Sequence, residues 1–267
     1  MELELSIILV NYNGKHYLDS CLKSIEKNVD GIDCEVILID NNSSDDSCTF
    51  LKNNYPNVNL IESKLNNGFG KGNNLAVAQA KGKYLLLLNL DTVLLDNIKE
   101  ALDCLKNDLN IGALGINMLN QEKQYLHAAG SFPKISNLFW MKKSFEFNKD
   151  FVLGTFSKKL YEVDWITGSF ILMPKSVFNQ IRGFDEDYFL YVEDVDFCKR
   201  IVNLGYKIVF FPGLQYIHYV GFNKKKNPML IKGYRLYINK HFKGFYKYLC
   251  LIALKVNESV KKIKELF

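Results

Sequence analysis

The six cysteines of this 267-residue chain (Cys21, Cys34, Cys48, Cys104, Cys198 and Cys250) form no CxxC motif and no Cys/His pairing. That spacing excludes a recognisable zinc site or disulfide framework and suits a reducing cytoplasm. No apolar run reaches the ~18 residues that a membrane-crossing helix needs. The opening "MELELSIILVNYNG" is acidic and enters a strand-like run at once, so no signal peptide is expected. Internal repeats and low-complexity linkers are absent, as are a Walker loop, a clean GxGxxG and any nucleic-acid-binding motif. One compact domain with a tail is the simplest organisation.

Hydrophobic residues make up 48% of the chain, enough for a sizeable core. The net charge of +5 hides a division. Residues 224–267 carry twelve Lys and Arg against Glu258 and Glu265, twelve less two or +10, which leaves the first 223 residues at −5. A mildly acidic body and a strongly basic tail do different jobs.

"LSIILVNYN" reads as a strand buried on both faces, followed by a helix with Leu18, Cys21, Leu22 and Ile25 on one side. "EVILID" and "VNLIES" are further strands, the first leading to a helix capped by Ser44 or a neighbour. "NNGFGKGNN" is a glycine-rich loop opening a short helix that Gly82 stops, and "KYLLLLNLD" is a fourth strand. A helix with Ile98, Ala101, Leu102 and Leu105 on one face precedes a fifth strand near "IGALGINML". This alternation predicts an α/β fold with a mostly parallel sheet over the first ~120 residues. Residues 120–160 lose the rhythm and read as loop and mobile segment rather than core. "VDWITGSFILMPKSVF" reads as a strand entering a helix near Pro174. "GFDEDYFLYVEDVDFCKRIVNLG" holds a helix that starts among acids and ends at Gly205. "YKIVFFPG" and "LQYIHYVG" read as two more strands.

In an open parallel sheet, ligands bind beyond the carboxyl ends of the strands. Three strand ends are polar in the same way: Asn11 to Asn13, Asp40 to Ser43, and Asn89 to Asp91. Asp40 alone suits a turn as well as a ligand contact. The glycine loop serves positive φ as readily as it serves a diphosphate at a helix start. Asp91 fits a hard cation such as Mg²⁺ or Mn²⁺, held by few carboxylates plus phosphate oxygens. His218 suits either a satisfied core position or a place beside Asp91. Glu193, Asp194 and Asp196 match a dipole-stabilised first turn of a helix. With Asp185, Glu186 and Asp187 just upstream, their crowded charge also suits a catalytic site.

In this order, "SIILVNYN", "VILIDNNSSDDS", "NNGFGKGNN", "LLLLNLDT", "WITGSFILMPKSVF", "GFDEDYFLYVEDVDFCKR" and "PGLQYIHYVG" resemble the family 2 glycosyltransferases, most of all their rhamnosyltransferase-like branch. The resemblance covers residues 4 to 222 or so. It implies a GT-A (Rossmann-like) fold, a nucleotide-sugar donor, a divalent metal and inversion at the anomeric carbon. It divides the chain into a GT-A domain over 1–222, with a nucleotide-sugar half at 1–120 and an acceptor and catalytic half at 160–222, and a basic helical tail over 223–267. On this resemblance Val10, Asn11, Tyr12, Asp40, Asn42, Asn67, Gly68, Asn73, Asn89, Leu90 and Asp91 border the donor, with Asp40 facing the base. Asn89-Leu90-Asp91 stands where the family carries a DxD-type motif. Asn89 replaces the first acid, which leaves Asp91 as the principal carboxylate ligand, with His218 as the second protein ligand. Asp194 is the implied catalytic base, and Trp165, Thr167, Gly168 and Glu193 border the acceptor.

Inversion needs an acceptor hydroxyl deprotonated opposite the leaving group, and departure of a nucleoside diphosphate needs its charge neutralised. Those two tasks call for two acidic sites, and Asp91 and Asp194 supply them. The expected partners are dTDP-rhamnose or a UDP-sugar, and a glycan or lipid-linked glycan acceptor in cell-surface polysaccharide assembly. The tail is either a helix capping the domain or an interfacial helix drawn to anionic lipid on the inner face of the cell membrane. Nucleic acid is not expected. A processive synthase is disfavoured because "QIRGF" at 180–184 is no QxxRW motif and no span is present. A sugar-phosphate nucleotidyltransferase wants a basic, glycine-rich first loop where this chain has "NYNGKHY". The alternative from another class is a catalytically silent nucleotide- or glycan-binding module.

Overall fold

Leu5 through Leu9 of the first strand, β1 (Leu5–Asn11), are fully buried, as a strand covered on both faces requires. The computed structural model describes residues 3–219 and 226–264. The expected 222/223 boundary, Lys224, Lys225 and Glu265 lie outside the described residues. After β1 come α1 (Lys15–Asn28), β2 (Cys34–Asp40), α2 (Ser47–Asn54), β3 (Asn59–Glu62), α3 (Gly68–Val77) and β4 (Tyr84–Asn89). These four strands lie in the order β3-β2-β1-β4 and pair in parallel. The expected apolar faces are buried: Leu18, Cys21, Leu22 and Ile25 on α1, and Leu85 to Leu88 along β4. Two details differ from expectation. Helix α2 starts at Ser47 behind Asp46 rather than at Ser44, and α3 ends at Val77, well before Gly82.

Past β4 the sheet becomes mixed. A tight turn leads to β5 (Thr92–Leu94), then α4 (Lys99–Asn107) and β6 (Ile111–Leu119), whose nine residues are all buried. Two short strands, β7 (Tyr125–Leu126) and β8 (Ala129–Gly130), precede α5 (Ile135–Phe139), a 3-10 turn at Met141–Ser144, and α6 (Lys149–Leu153). Residues 120–160 are therefore not a loose loop, which corrects the sequence reading. Phe151 is fully buried, with its ring 5.2 Å from Phe156, 5.3 Å from Tyr161 and 5.0 Å from Phe210. The segment has no period because its aromatic rings pack edge-on from irregular backbone instead of along one helix or strand face.

The stretch read as one strand is three: β9 (Tyr161–Val163), β10 (Trp165–Ile166) and β11 (Phe170–Pro174). Strand β11 runs antiparallel between β4 and β6, and β10 pairs with β8. Helices α7 (Lys175–Gln180) and α8 (Glu193–Asn203) follow, and Gly205 (φ 90°) closes α8 as expected. The two strands expected at the end of the body are one, β12 (Lys207–His218), parallel to β6 and antiparallel to β5. Pro212-Gly213, which reads as a break, sits in a register shift between Phe211 and Gln215, a bulge within a continuous strand.

Helices α9 (Lys226–His241) and α10 (Gly244–Lys264) complete the described chain. Ile231 and Ile238 of α9 and Cys250, Ala253 and Leu254 of α10 bury a second small core with Leu138 of α5. Among the described residues no helix is long and apolar enough to cross a membrane.

Because Phe151 anchors residues 120–160, Phe151→Ala is expected to cost ~3–5 kcal/mol in urea unfolding, as deletion of a core aromatic does. A loss below ~0.5 kcal/mol, the range of a surface change, would return the segment to loop status.

Candidate active site

The parallel register sets Asn11 opposite Asp40 and Val10 opposite Asn89, so the three polar strand ends emerge at one level of one rim. Asn11 is buried and fully used. Its Nδ2 donates to Asp40 Oδ2 at 2.6 Å and to Ser43 Oγ at 3.1 Å, and its Oδ1 accepts from the Gly14 amide at 3.0 Å. The other Asp40 oxygen accepts from the Ser43 amide at 2.8 Å. Asp40 is only 2% exposed and holds Asn11 and the 40–43 turn from inside the rim.

Gly68, at φ 73°, lies between Asn41, whose Nδ2 donates to its carbonyl at 2.9 Å, and Phe189. A Cβ at Gly68 would run into the Phe189 carbonyl, which the Phe69 amide contacts at 3.1 Å. Glycine is thus required where the loop opening α3 meets the loop ahead of α8. Asn67 braces the first loop through Ser63 Oγ at 2.8 Å. Asn73 is buried, its amide donating to the Phe69 carbonyl at 3.0 Å, and Asn42 points to solvent at φ 64°; neither borders the cleft.

Between these loops lies a cleft of about 630 Å³, within the size range of small-molecule sites. Val10, Asn11, Tyr12, Gly68, Asn89, Leu90 and Asp91 line it. Tyr12 is 55% exposed at its mouth, a planar ring free on one face for stacking.

Asp91 meets His218 because β5, which starts at the next residue, pairs with the end of β12: Thr92 stands opposite His218. His218 Nε2 lies 3.2 Å from Asp91 Oδ1 and 3.4 Å from the side-chain Nδ2 of Asn89. Two ligands at adjacent corners of an octahedral Mg²⁺ shell, each at ~2.1 Å, stand ~3 Å apart. The pair fits two corners of such a shell. No cluster of three His, Cys, Asp or Glu exists among the described residues. Tyr17 stacks on Tyr219 at 5.5 Å beside this pair; burial first, and then the Asp91 charge, raise its phenol above the ordinary value.

Helix α8 places Glu193 and Asp194 differently. The Glu193 carboxyl is buried, one oxygen has no hydrogen-bond partner, and burial followed by the Asp194 charge raises it well above the ordinary carboxyl range. Asp194 is half-buried, and its Oδ2 accepts from the Gly168 amide at 3.1 Å. Gly168 stands between the cleft-lining Phe69 and Asp194, and the neighbouring Ser169 carbonyl accepts from the Asn89 amide at 3.0 Å. Asp194 is therefore one residue behind the cleft wall. Of the residues expected at the acceptor, Trp165 is 6% exposed, donating Nε1 to the Ser131 carbonyl at 3.1 Å, and Glu193 is 5% exposed, so both are buried, whereas Gly168 meets Asp194.

The model of the Glycosyl transferase family 2 matches residues 6–182, about two thirds of the chain. The chain belongs to that family. A second model, the N-terminal domain of galactosyltransferase, matches residues 154–225 of this glycosyltransferase. Rhamnosyltransferase WbbL of Escherichia coli K12 is 27% identical over 282 residues, 98% of each chain. N-acetylglucosaminyl-diphospho-decaprenol L-rhamnosyltransferase of Mycobacterium tuberculosis is 25% identical over 84% of this chain and 78% of its own. Among solved structures, the mannosyltransferase PcManGT from Pyrobaculum calidifontis in complex with GDP-Man and Mn²⁺ superposes with a TM-score of 0.63 at 16% identity, over 97% of this chain and 74% of that one. GalNAc-T7 with UDP, GalNAc and Mn²⁺ gives a TM-score of 0.66 at 17% identity over 88% of this chain; the match spans 48% of that protein's length. The fold of this glycosyltransferase is GT-A.

The cleft also takes in residues that sequence reasoning missed: Tyr17, Asn41, Asn66, Phe69, Phe189, Leu190 and Met229. Phe189 and Leu190 precede the "YVED" stretch and were within reach of the motif. Met229 belongs to α9 and carries no local signal at all.

A neutral Glu193 has a thermodynamic signature. Its native affinity for a proton exceeds the unfolded one, so it stabilises the fold below its ordinary value of 4.5, and that contribution is lost as pH rises towards the native value. Glu193→Gln mimics the protonated form. Its stability relative to wild type should therefore climb by ~1.4 kcal/mol per pH unit above ~pH 5, then level off once native Glu193 ionises. Urea unfolding of both proteins across that range measures it; a difference independent of pH would show that Glu193 ionises normally.

Proposed function

We propose that the protein is an inverting, metal-dependent, non-processive glycosyltransferase. On this reading it moves a sugar from a nucleoside-diphosphate donor to a hydroxyl of a glycan or lipid-linked glycan in cell-surface polysaccharide assembly. The observation that carries the proposal is the pairing of Asp91 with His218 at the cleft rim, with a second, separate carboxylate, Asp194, across Gly168. The rhamnosyltransferase names of two relatives favour dTDP-rhamnose as donor, with a UDP-sugar next, and the diphospho-decaprenol in one name favours a lipid-linked acceptor.

Tyr12 offers its ring to the base. Asp91 and His218 would hold Mg²⁺ or Mn²⁺, and a metal there supplies Lewis-acid neutralisation of the leaving diphosphate. Asp194 takes the proton from the acceptor hydroxyl. The freed oxygen attacks the anomeric carbon opposite the departing diphosphate, so the new bond forms as the old one breaks, with inversion. The Gly168 amide fixes the Asp194 carboxylate. Burial and the Asp194 charge favour the protonated form of the neighbouring Glu193.

Two substitutions separate the roles. Asp91→Ala should abolish transfer with little change in melting temperature, and excess EDTA should do the same to the wild type. Asp194→Asn should keep donor affinity by calorimetry while transfer falls by ~10² or more. Near-native transfer by Asp194→Asn would remove it as base. Donor binding by the wild type without turnover on any supplied acceptor would favour the catalytically silent module.

The proposed location is the inner face of the cell membrane, held through residues 224–267. Phe245, Tyr248 and Ile252 project from α10 into solvent, 77%, 64% and 58% exposed, among the lysines of a segment carrying +10. Aromatic side chains interleaved with lysines suit the headgroup region of anionic lipid. Co-sedimentation with phosphatidylserine vesicles should fall steeply with salt, and further on changing Phe245 and Tyr248 to Ala. Sedimentation indifferent to both would remove the membrane from the proposal.

A further inference from the structure

The turn that delivers Glu193 and Asp194 is built from residues ill suited to it. Tyr191 and Val192, immediately before α8, both sit in the left-handed region at φ 71° and 73°. For a β-branched residue that conformation is a genuine outlier, and such outliers persist only where surroundings over-determine them. The surroundings here are α9. Gly233 presses its bare Cα against the turn: a Cβ there would stand 2.6 Å from the Tyr191 carbonyl oxygen and 2.8 Å from Val192 Cγ2. About two turns along α9, Lys240 pairs with Asp185 and, at 2.6 Å, with Asp187, upstream of the strained pair. The next residue, His241, places Nε2 2.7 Å from Asp196 Oδ1, downstream of it. The other Asp196 oxygen accepts from Arg200 Nε at 2.7 Å. Asp196 is buried, which by itself raises a carboxyl, but the His241 hydrogen bond and the Arg200 guanidinium outweigh that and hold it below the usual carboxylate range.

We infer that α9 is a positioning helix of the active site. It grips the 185–196 segment on both sides of Tyr191-Val192 and keeps the turn left-handed. In that state α8 begins where the Gly168 amide can meet Asp194. Gly233 and His241 are the positioning residues; neither touches a reacting atom. The value of the arrangement for catalysis rests on the role proposed for Asp194, whereas its value for the turn does not.

The test uses the full chain and two readouts. In the ligand-free protein, amide hydrogen exchange of residues 190–196 should accelerate at least ~10-fold in His241→Ala and Gly233→Ala, with β1 and β4 as protected as in wild type. His241→Gln, which can still donate to Asp196, should restore protection, and it stands in if Gly233→Ala does not fold. In transfer assays with dTDP-rhamnose and UDP-sugars, His241→Ala should lower kcat ~10-fold or more with donor KM within ~2-fold. Unchanged exchange at 190–196 overturns the inference whatever the activity does. Faster exchange with unchanged kcat overturns it too, since α9 would then be structural only. A wild type with no transfer, beside the expected exchange result, would sink the proposed reaction and leave α9 as the holder of the turn.

Discussion

Asn11 faces Asp40 across one side of β1, and its neighbour Val10 faces Asn89 across the other. Three apolar runs therefore give out at a single level, and the polar residues that end them are forced to satisfy one another or a ligand. The 2.6 Å bond from Asn11 to Asp40 is the first result of that constraint. A slip of one residue between β1 and β2 would turn buried side chains to the opposite face and pull this bond apart. The rim, the 40–43 turn and the walls of the cleft all depend on the register that this bond marks.

Much of this was legible in the sequence, for a physical reason. A strand buried on both faces must be continuously apolar, so its polar end is conspicuous, and Asn11, Asp40 and Asp91 announced themselves. Which way each polar residue turns was not legible. Asp40, Asn73 and Trp165 carry the chemistry of a ligand contact, yet the packing turns all three inward, where they hold the walls in place. The aromatic cluster around Phe151 was equally hidden, because edge-on ring packing leaves no period to read. Pro212-Gly213 looked like a strand end because the dipeptide marks turns, and a bulge uses the same residues.

The two carboxyls at the start of α8 illustrate how adjacent residues of like chemistry come to differ. Glu193 points into the core, where one of its oxygens has no partner and burial raises its affinity for a proton. Asp194, one position on, meets a backbone amide and partial solvent. The helix rotates successive side chains by about a quarter-turn, following from 3.6 residues per turn, and that rotation alone assigns them to opposite environments.

The docking of α9 against the 185–196 segment also sets an order of events during synthesis. Domains form from the N-terminus as the chain emerges, so the strands of the donor rim are complete long before residue 233 exists. The turn at Tyr191-Val192 is thus made before the helix that presses on it.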